Sequence, residues 1–134
     1  MSKVVNLKMG KGTVGPGTEY SNAKEWIEAS PNHVYIGRMQ RIGLPGKKVY
    51  MFKQSPFANK TSVFQAGTQA KAVECFRKEY MKNEALRTKA RNELDGKILG
   101  CWCKEEVCHG DVIVEDLRAY KENEKVNEIQ SRTP

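Results

Sequence analysis

Hydrophobic and polar residues follow one another along this chain with two periodicities, one typical of β-strands and one typical of helices. Residues 4–7 and 33–38 are short and rich in β-branched and aromatic side chains, and residues 48–53 alternate polar with apolar positions. Residues 97–103 form an apolar run between a turn and a group of charges, which is typical of a strand buried on both faces of a parallel sheet. These four segments are the predicted strands, and residues 43–46 are a predicted turn.

Helical periodicity or helix-capping residues mark four further segments. Asn22 and Thr68 are suitable N-caps for a short helix and a longer one. Residues 84–94 form a second amphipathic segment, and a last helix begins at residues 109–111. The apolar positions that the longer helix and the last helix are expected to turn toward the core are Ala72, Val73, Phe76, Tyr80, Ile113, Val114, Leu117 and Tyr120.

Helices and strands alternate along the 134 residues, and no internal repeat is visible. This order predicts an α/β fold, because crossover helices are what place successive strands side by side in parallel. We expect a single compact Rossmann-like three-layer domain with a mostly parallel sheet over residues 1–124. Residues 125–134 are polar and predict a flexible C-terminal tail.

The balance of charge points to partners that carry phosphate. Lysine and arginine number 23 against 16 acidic residues, a net charge of +7, and residues 1–67 hold ten basic residues against three acidic ones. A basic half-surface attracts a nucleotide or a nucleic acid, although it equally suits a surface that only keeps the protein soluble. No apolar run is long enough to span a bilayer and no secretory signal is visible, so we expect a cytoplasmic protein without a membrane partner.

Three of the four cysteines stand close together beside a histidine. Cys101, Cys103, Cys108 and His109 could together bind zinc, which prefers thiolate and imidazole ligands. The spacing departs from the two separated ligand pairs of structural zinc sites, and adjacent Cys108 and His109 cannot easily converge on one ion. We therefore predict no cofactor, with zinc at these four residues as the alternative.

The same segment also suits an anion site, because a buried strand ends near Cys103 and a helix begins near His109. Ligands of open α/β sheets bind beyond the carboxyl ends of strands, where helix N-termini favour anions. The field of the helix would favour the thiolate form of Cys108 as a nucleophile, with His109 or Asp111 as acid, base or sugar-hydroxyl partner. The structural alternatives stay open: Cys101 and Cys103 pack in the core, and Asp111 only caps the helix.

Residues 96–103 (GKILGCWC) and 108–112 (CHGDV) closely resemble the signature of domain of unknown function 4326. That family occurs in bacteria, phages and large DNA viruses, and its biochemical activity is not established. Residues 33–38 (HVYIGR) and 55–59 (SPFAN) agree with it as well. The resemblance implies a host-cell or virion location if the protein is viral, and a shared pocket near the cysteine segment.

Carried over by position, that pocket has two sets of residues. Cys108, His109 and Asp111 are the catalytic candidates, and Arg38 suits phosphate or carboxylate through its planar guanidinium. The expected function is to bind or process a nucleotide, a nucleoside or a nucleic-acid base. The alternative is a non-enzymatic basic component of a viral or nucleic-acid assembly that has lost an ancestral activity. The ligand-binding candidates are Tyr35, Gly37, Arg38, Ser55, Asn59, Cys103 and Gly110.

Overall fold

The computed structural model describes residues 2–7, 20, 22–61, 63–102 and 108–131. Strands and helices are interspersed over this part of the chain, although three strands and then three helices follow one another directly in its middle. In chain order the elements are β1 (Lys3–Asn6), α1 (Ala23–Glu28), β2 (His33–Tyr35), β3 (Gln40–Leu44), β4 (Lys48–Phe52), α2 (Val63–Ala66), α3 (Gln69–Lys82), α4 (Glu84–Glu93), β5 (Ile98–Cys101) and α5 (His109–Ser131).

Three strands form a parallel sheet in the order β1-β5-β2. The apolar segment predicted to be a doubly buried strand is β5, and it occupies the centre, where Leu99 stands opposite Val4 on one side and Val34 on the other. Strands β3 and β4 form a separate antiparallel hairpin. The prediction of an α/β fold with a parallel sheet is confirmed, whereas the Rossmann-like three-layer arrangement stays a prediction.

The parallel sheet has an apolar cluster on each face. Leu99 and Cys101 of β5 pack toward α3, α4 and α5, and Ile98 packs toward α1 and the hairpin. This alternation follows from the period of two along a strand. The large, fully buried side chains in these two clusters include Leu7, Trp26, Ile36, Tyr80, Leu94, Leu99 and Ile113.

A glycine in β5 allows helix α1 to approach the sheet closely. A Cβ atom on Gly100 would lie 2.6 Å from the indole ring of Trp26 and 3.0 Å from a methyl group of Leu7. Any larger side chain would push the indole out of the cluster it anchors, since interiors are close-packed. The glycine therefore sets the distance between α1 and the central strand.

The predicted helix starts are confirmed by their caps. The Asn22 side chain accepts a hydrogen bond from the Glu25 amide at 2.9 Å, and the Thr68 hydroxyl accepts one from the Lys71 amide at 3.1 Å. These bonds satisfy backbone donors that a helix cannot pair internally. Tyr120, expected in the core, is instead 37% exposed and lies beneath the Arg91 guanidinium.

Two segments depart from the expectations. Of the turn predicted at residues 43–46, Gly43 and Leu44 belong to β3, because Ile42 pairs across the hairpin with Tyr50 and this pairing overrides the local preference of Gly43, and residues 45 and 46 are turn as predicted. The reversal itself falls at Gly46 and Lys47, both with positive φ. Helix α5 continues through Ser131, so residues 125–131 extend a helix where the sequence predicts a tail. Among the described residues, no helix is long and apolar enough to cross a membrane.

Helices α3, α4 and α5 are joined by one polar cluster. The buried Asp116 carboxylate accepts a hydrogen bond from the Tyr80 hydroxyl at 3.1 Å and pairs with the Arg87 guanidinium at 2.8 Å. Burial, reinforced by the neighbouring Asp116 charge, raises the pKa of Tyr80 well above its ordinary value. The cluster fixes α5 against the other two helices, and α5 supplies part of the site.

Candidate functional site

A cleft of about 260 Å³ opens at the carboxyl edge of the parallel sheet. Its walls come from the chain just beyond β2, the end of β5, the loop after β4, and the first turns of α3 and α5. Ligand sites of α/β sheets lie at this edge, because loops and helix N-termini converge there. The lining residues are Gly37, Arg38, Gln40, Asn59, Thr61, Gln69, Ala72, Cys101, Trp102 and His109.

Two helix N-termini contribute to the walls. Gln69 is the first residue of α3, directly after the Thr68 cap, and His109 is the first residue of α5. The amide groups of a first helical turn carry partial positive charge and favour anions. The backbone at these two positions and the Arg38 side chain are therefore the groups of the described cleft wall that favour an anion.

Arg38 and Asn59 lie together, although 21 positions separate them in the sequence. The Arg38 Nε atom donates a hydrogen bond to the Asn59 carbonyl at 2.6 Å. The Asn59 side chain in turn donates to the Ala72 carbonyl at 2.9 Å and accepts from the Thr61 amide at 3.0 Å. This chain of bonds ties the loop after β4 to α3. Within the part of the chain that the structure describes, Arg38 forms no ion pair with a carboxylate.

Tyr35 supports the cleft from behind and does not line it. Its hydroxyl donates to the Arg38 carbonyl and accepts a hydrogen bond from the Trp102 indole at 2.7 Å. Gly37 makes room for this phenol, because a Cβ atom there would lie 2.5 Å from the Tyr35 oxygen. The predicted pair Tyr35 and Gly37 thus positions Arg38 and the indole, and Gly37 also borders the cleft.

His109 is 4% exposed, borders the cleft and is held from two sides. Its Nε2 atom lies 2.9 Å from the Ile36 carbonyl, so this nitrogen carries the hydrogen. The Phe76 ring meets the imidazole edge-to-face at 5.1 Å between centroids. The other nitrogen, Nδ1, lies 3.8 Å from the Cys108 sulfur.

The remaining candidates of the cysteine segment have structural positions outside the cleft wall. The Asp111 carboxylate accepts a hydrogen bond from the Cys108 amide at 3.1 Å, as the capping alternative expects. Gly110 packs against the sheet, where a Cβ atom would lie 2.8 Å from Ile36 and 2.9 Å from Val4. The Cys108 sulfur is buried behind the cleft. The structure thus brings only His109 of the three catalytic candidates to the cleft.

Another predicted residue, Ser55, is not among the described lining residues. The buried Ser55 hydroxyl accepts a hydrogen bond from the Phe57 amide at 3.0 Å, and the Ser55 amide donates to the Gly37 carbonyl at 3.0 Å, so this residue shapes the loop beneath the cleft. Cys103 lies outside the described residues. No group of three potential metal ligands stands together in ranges 2–7, 20, 22–61, 63–102 and 108–131. The absence of a cofactor stays a prediction.

Residues 19–119 match the family described as "Domain of unknown function (DUF4326)". The chain belongs to this family. The match includes β2, β5, the loop after β4 and the first turns of α3 and α5, so the ten lining residues that the structure describes lie within the DUF4326 region. The part that the cysteine segment plays in defining the family stays a prediction.

One curated relative of this DUF4326 chain is similar over 68 residues, with 37% identity. It is the "Uncharacterized 12.4 kDa protein in nrdA-td intergenic region" of Enterobacteria phage T4. The match covers 48% of this chain and 63% of the relative, less than two thirds of its length. No solved structure matches.

Several lining residues of this DUF4326 member escaped the sequence analysis. Gln40, Thr61 and Gln69 are polar residues in or next to predicted loops, and nothing in their local pattern separates them from solvent-facing neighbours. Trp102 packs edge-to-face on Phe52, 6.0 Å away between centroids, and also borders the cleft. A signal was available for Gln69 alone, since it follows the Thr68 cap.

Proposed function

We propose that the cleft binds a nucleotide of about mononucleotide size, or the corresponding nucleoside or base. The observation that carries this proposal is the position of Arg38. Its guanidinium stands at the carboxyl edge of a parallel sheet, beside two helix N-termini, without a carboxylate partner among the described residues. A guanidinium held in place through Nε presents its other nitrogens as a fork for phosphate.

The other lining groups suit the remainder of a nucleotide. The Gln40 and Gln69 amides carry both donors and acceptors, as base edges do, and the Trp102 indole offers a flat surface for a base. A cleft of about 260 Å³ is just below the usual range for ligand pockets, about 300–1,000 Å³. The size favours a mononucleotide over a dinucleotide.

If the bound ligand is also processed, His109 is the described side chain best placed to move a proton. It borders the cleft, and because Nε2 donates to the Ile36 carbonyl, the nitrogen that would accept a proton is Nδ1, which lies 3.8 Å from the Cys108 sulfur. An imidazole whose tautomer is set by a backbone carbonyl is a common arrangement for a general base or acid. Binding without catalysis stays open, and the same experiment addresses both.

The test is calorimetric titration with the four nucleoside monophosphates, their nucleosides and inorganic phosphate, followed by monitoring for turnover. We expect at least one monophosphate to bind, and Arg38→Gln to weaken it about tenfold or more, since hydrogen bonds to charged groups contribute about 1.5–3 kcal/mol. Arg41→Gln is the matched control, because Arg41 is exposed on β3 and loses the same charge. Absence of binding at millimolar concentration, or equal weakening by both variants, contradicts the proposal.

A second function has its own observation. Residues 29–73 contain seven lysines and arginines and no acidic residue. Part of this segment is the outer face of the β3–β4 hairpin, where Arg41 lies opposite Met51 and Val49 is 65% exposed. A basic surface with exposed apolar side chains fits a non-enzymatic role on a nucleic acid.

The salt dependence of the affinity and the effects of the two arginine variants distinguish the two functions. Nucleic-acid binding through the hairpin predicts affinity that falls steeply with salt, and a slope reduced by about one in Arg41→Gln. Cleft binding of a mononucleotide responds to Arg38→Gln instead. A fluorescent single-stranded and a double-stranded oligonucleotide are the probes, and salt-insensitive binding or none removes this second function.

A further inference from the structure

The sulfur atoms of Cys101 and Cys108 lie 2.8 Å apart. Cys101 ends β5 and Cys108 directly precedes α5, and the two residues are 2% and 6% exposed. Neither the packing of the sheet nor the proposed nucleotide binding requires two thiols in contact. A disulfide bond is about 2.05 Å long, so the two sulfurs need to approach by about 0.8 Å to form one.

The surroundings of Cys108 favour its thiolate. The Gly110 amide, in the first turn of α5, donates a hydrogen bond to the Cys108 sulfur at 3.4 Å, and Nδ1 of His109 lies 3.8 Å away. The backbone donor stabilises a thiolate, and Nδ1 of His109, whose ring hydrogen is on Nε2, can accept the Cys108 proton. Cys108 is therefore suited to be the sulfur that leaves when a disulfide is reduced.

Cys101 and Cys108 are both nearly fully buried, and they differ in their position relative to the cleft. Cys101 lines the cleft, beside Trp102 and His109, whereas Cys108 stands behind it. A small thiol or disulfide that enters the cleft therefore meets the Cys101 sulfur first. The two cysteines thus have the separate properties that an entry sulfur and a resolving sulfur need.

We propose that Cys101 and Cys108 form a redox-active dithiol that exchanges electrons with small thiols and disulfides through the cleft. In oxidation, Cys101 releases its proton to solvent and attacks one sulfur of an external disulfide, whose S–S bond breaks and releases one thiol. The Cys108 thiolate then attacks the Cys101 sulfur of this mixed disulfide and releases the second thiol. Two electrons and two protons pass to the external disulfide, and the protein holds a Cys101–Cys108 disulfide. Reduction follows the same steps in reverse.

This inference is independent of what the cleft binds, because it rests on the two sulfurs and their access. The test uses the full chain with Cys75→Ser and Cys103→Ser, so that Cys101 and Cys108 are the remaining cysteines. The protein is equilibrated with graded ratios of reduced and oxidised glutathione, free thiols are alkylated, and intact mass is measured. We expect one transition that removes two alkylation sites together and is reversed by dithiothreitol.

Single variants on this background test the assigned order. With Cys108→Ser we expect a stable mixed disulfide of glutathione on Cys101, since the resolving sulfur is absent. With Cys101→Ser we expect Cys108 to react at least tenfold more slowly, because it lies behind the cleft wall. Circular dichroism checks folding, and Cys→Ala replacements substitute for any serine variant that unfolds.

Three outcomes overturn the proposal. Both thiols stay alkylatable at every glutathione ratio in the folded protein, or Cys108 reacts as fast as Cys101 in the single variants. In the third, peptide mapping of the oxidised wild-type chain finds Cys103 in the disulfide in place of Cys101 or Cys108. If no nucleotide binds in the titration, the expected results of the alkylation and mapping experiments stay the same. The two proposals can therefore be refuted independently.

Discussion

The His109 imidazole donates a hydrogen bond from Nε2 to the main-chain carbonyl of Ile36, 2.9 Å away. This bond joins the first turn of α5 to the end of β2, across the central strand. Because Nε2 is bonded to this carbonyl, the opposite ring nitrogen, Nδ1, faces the Cys108 sulfur. One backbone acceptor therefore sets the orientation of the histidine for both the cleft and the thiol pair.

Removal of the imidazole should destabilise the fold. We expect His109→Ala to lower the free energy of unfolding by about 2–4 kcal/mol, because it opens a cavity and leaves the buried Ile36 carbonyl unpaired. His109→Gln should lose clearly less, since its amide nitrogen can occupy the position of Nε2. Urea unfolding of the three proteins measures this, and equal losses for both variants would contradict the bond's role.

The buried carboxylate that joins three helices offers a second comparison. Asp116→Asn removes the buried charge partner of Arg87, which keeps the exposed Glu84 carboxylate at 3.3 Å, and should cost about 1–3 kcal/mol, between the values for exposed and fully buried pairs. The neighbouring Glu115 pairs with Arg77 on the exposed surface. Glu115→Gln is therefore the control and should change stability by no more than about 0.5 kcal/mol. Thermal and urea unfolding both report the difference, and similar losses would refute this account.

Stability should fall at alkaline pH through Tyr80. Burial, together with the Asp116 charge, raises the pKa of Tyr80 in the folded protein, so the folded state holds the phenolic proton more tightly than the unfolded state. The resulting stability is fully present below the ordinary tyrosine pKa of about 10 and is lost as pH rises above it.

Tyr80→Phe should remove this part of the pH dependence and cost about 1 kcal/mol at neutral pH for the lost hydrogen bond. Tyr120→Phe, a change of the same chemistry at a more exposed tyrosine, is the control and should follow the wild-type curve. The difference between wild type and variant is measured by urea unfolding from neutral pH upward. A constant difference across the range would contradict the assignment.

Close packing at the central strand gives a further prediction. Gly100→Ala should destabilise by about 1–3 kcal/mol, because its Cβ meets the Trp26 ring at 2.6 Å. Combining it with Trp26→Leu should cost less than the sum of the two single changes, since the smaller side chain makes room. Gly43→Ala, where a Cβ meets nothing within 4 Å, is the control. Additive losses in the double variant would argue against a direct clash.

Local signals in the sequence predicted most of the main elements. The apolar run that became β5 and the caps at Asn22 and Thr68 carry their information within a few residues. Strand β3 was missed because Gly43 and Pro45 suggest a turn, while the pairing of Ile42 with Tyr50 is a contact between segments. Local preference is overridden wherever cross-strand packing contributes more.

The site was predictable only in part for the same reason. Arg38 and Asn59 meet because the loop after β4 is bonded to α3, a relationship between distant segments that no spacing reveals. Asp111 carried two interpretations of equal weight from the sequence, catalytic group or cap. Its bond to the Cys108 amide is the contact that the cap interpretation expects. Adjacent residues in a motif can thus face different environments once a helix begins between them.

The strand order β1-β5-β2 has a consequence for the folding of the protein during its synthesis on the ribosome. The two edge strands precede β5 in the chain and do not pair with each other, so the strand that bridges them is synthesised after both. In a nascent chain that has not yet reached Ile98, β1 and β2 lack the strand with which each of them pairs. The parallel sheet closes only after synthesis of β5, and α5 must follow to cover one face.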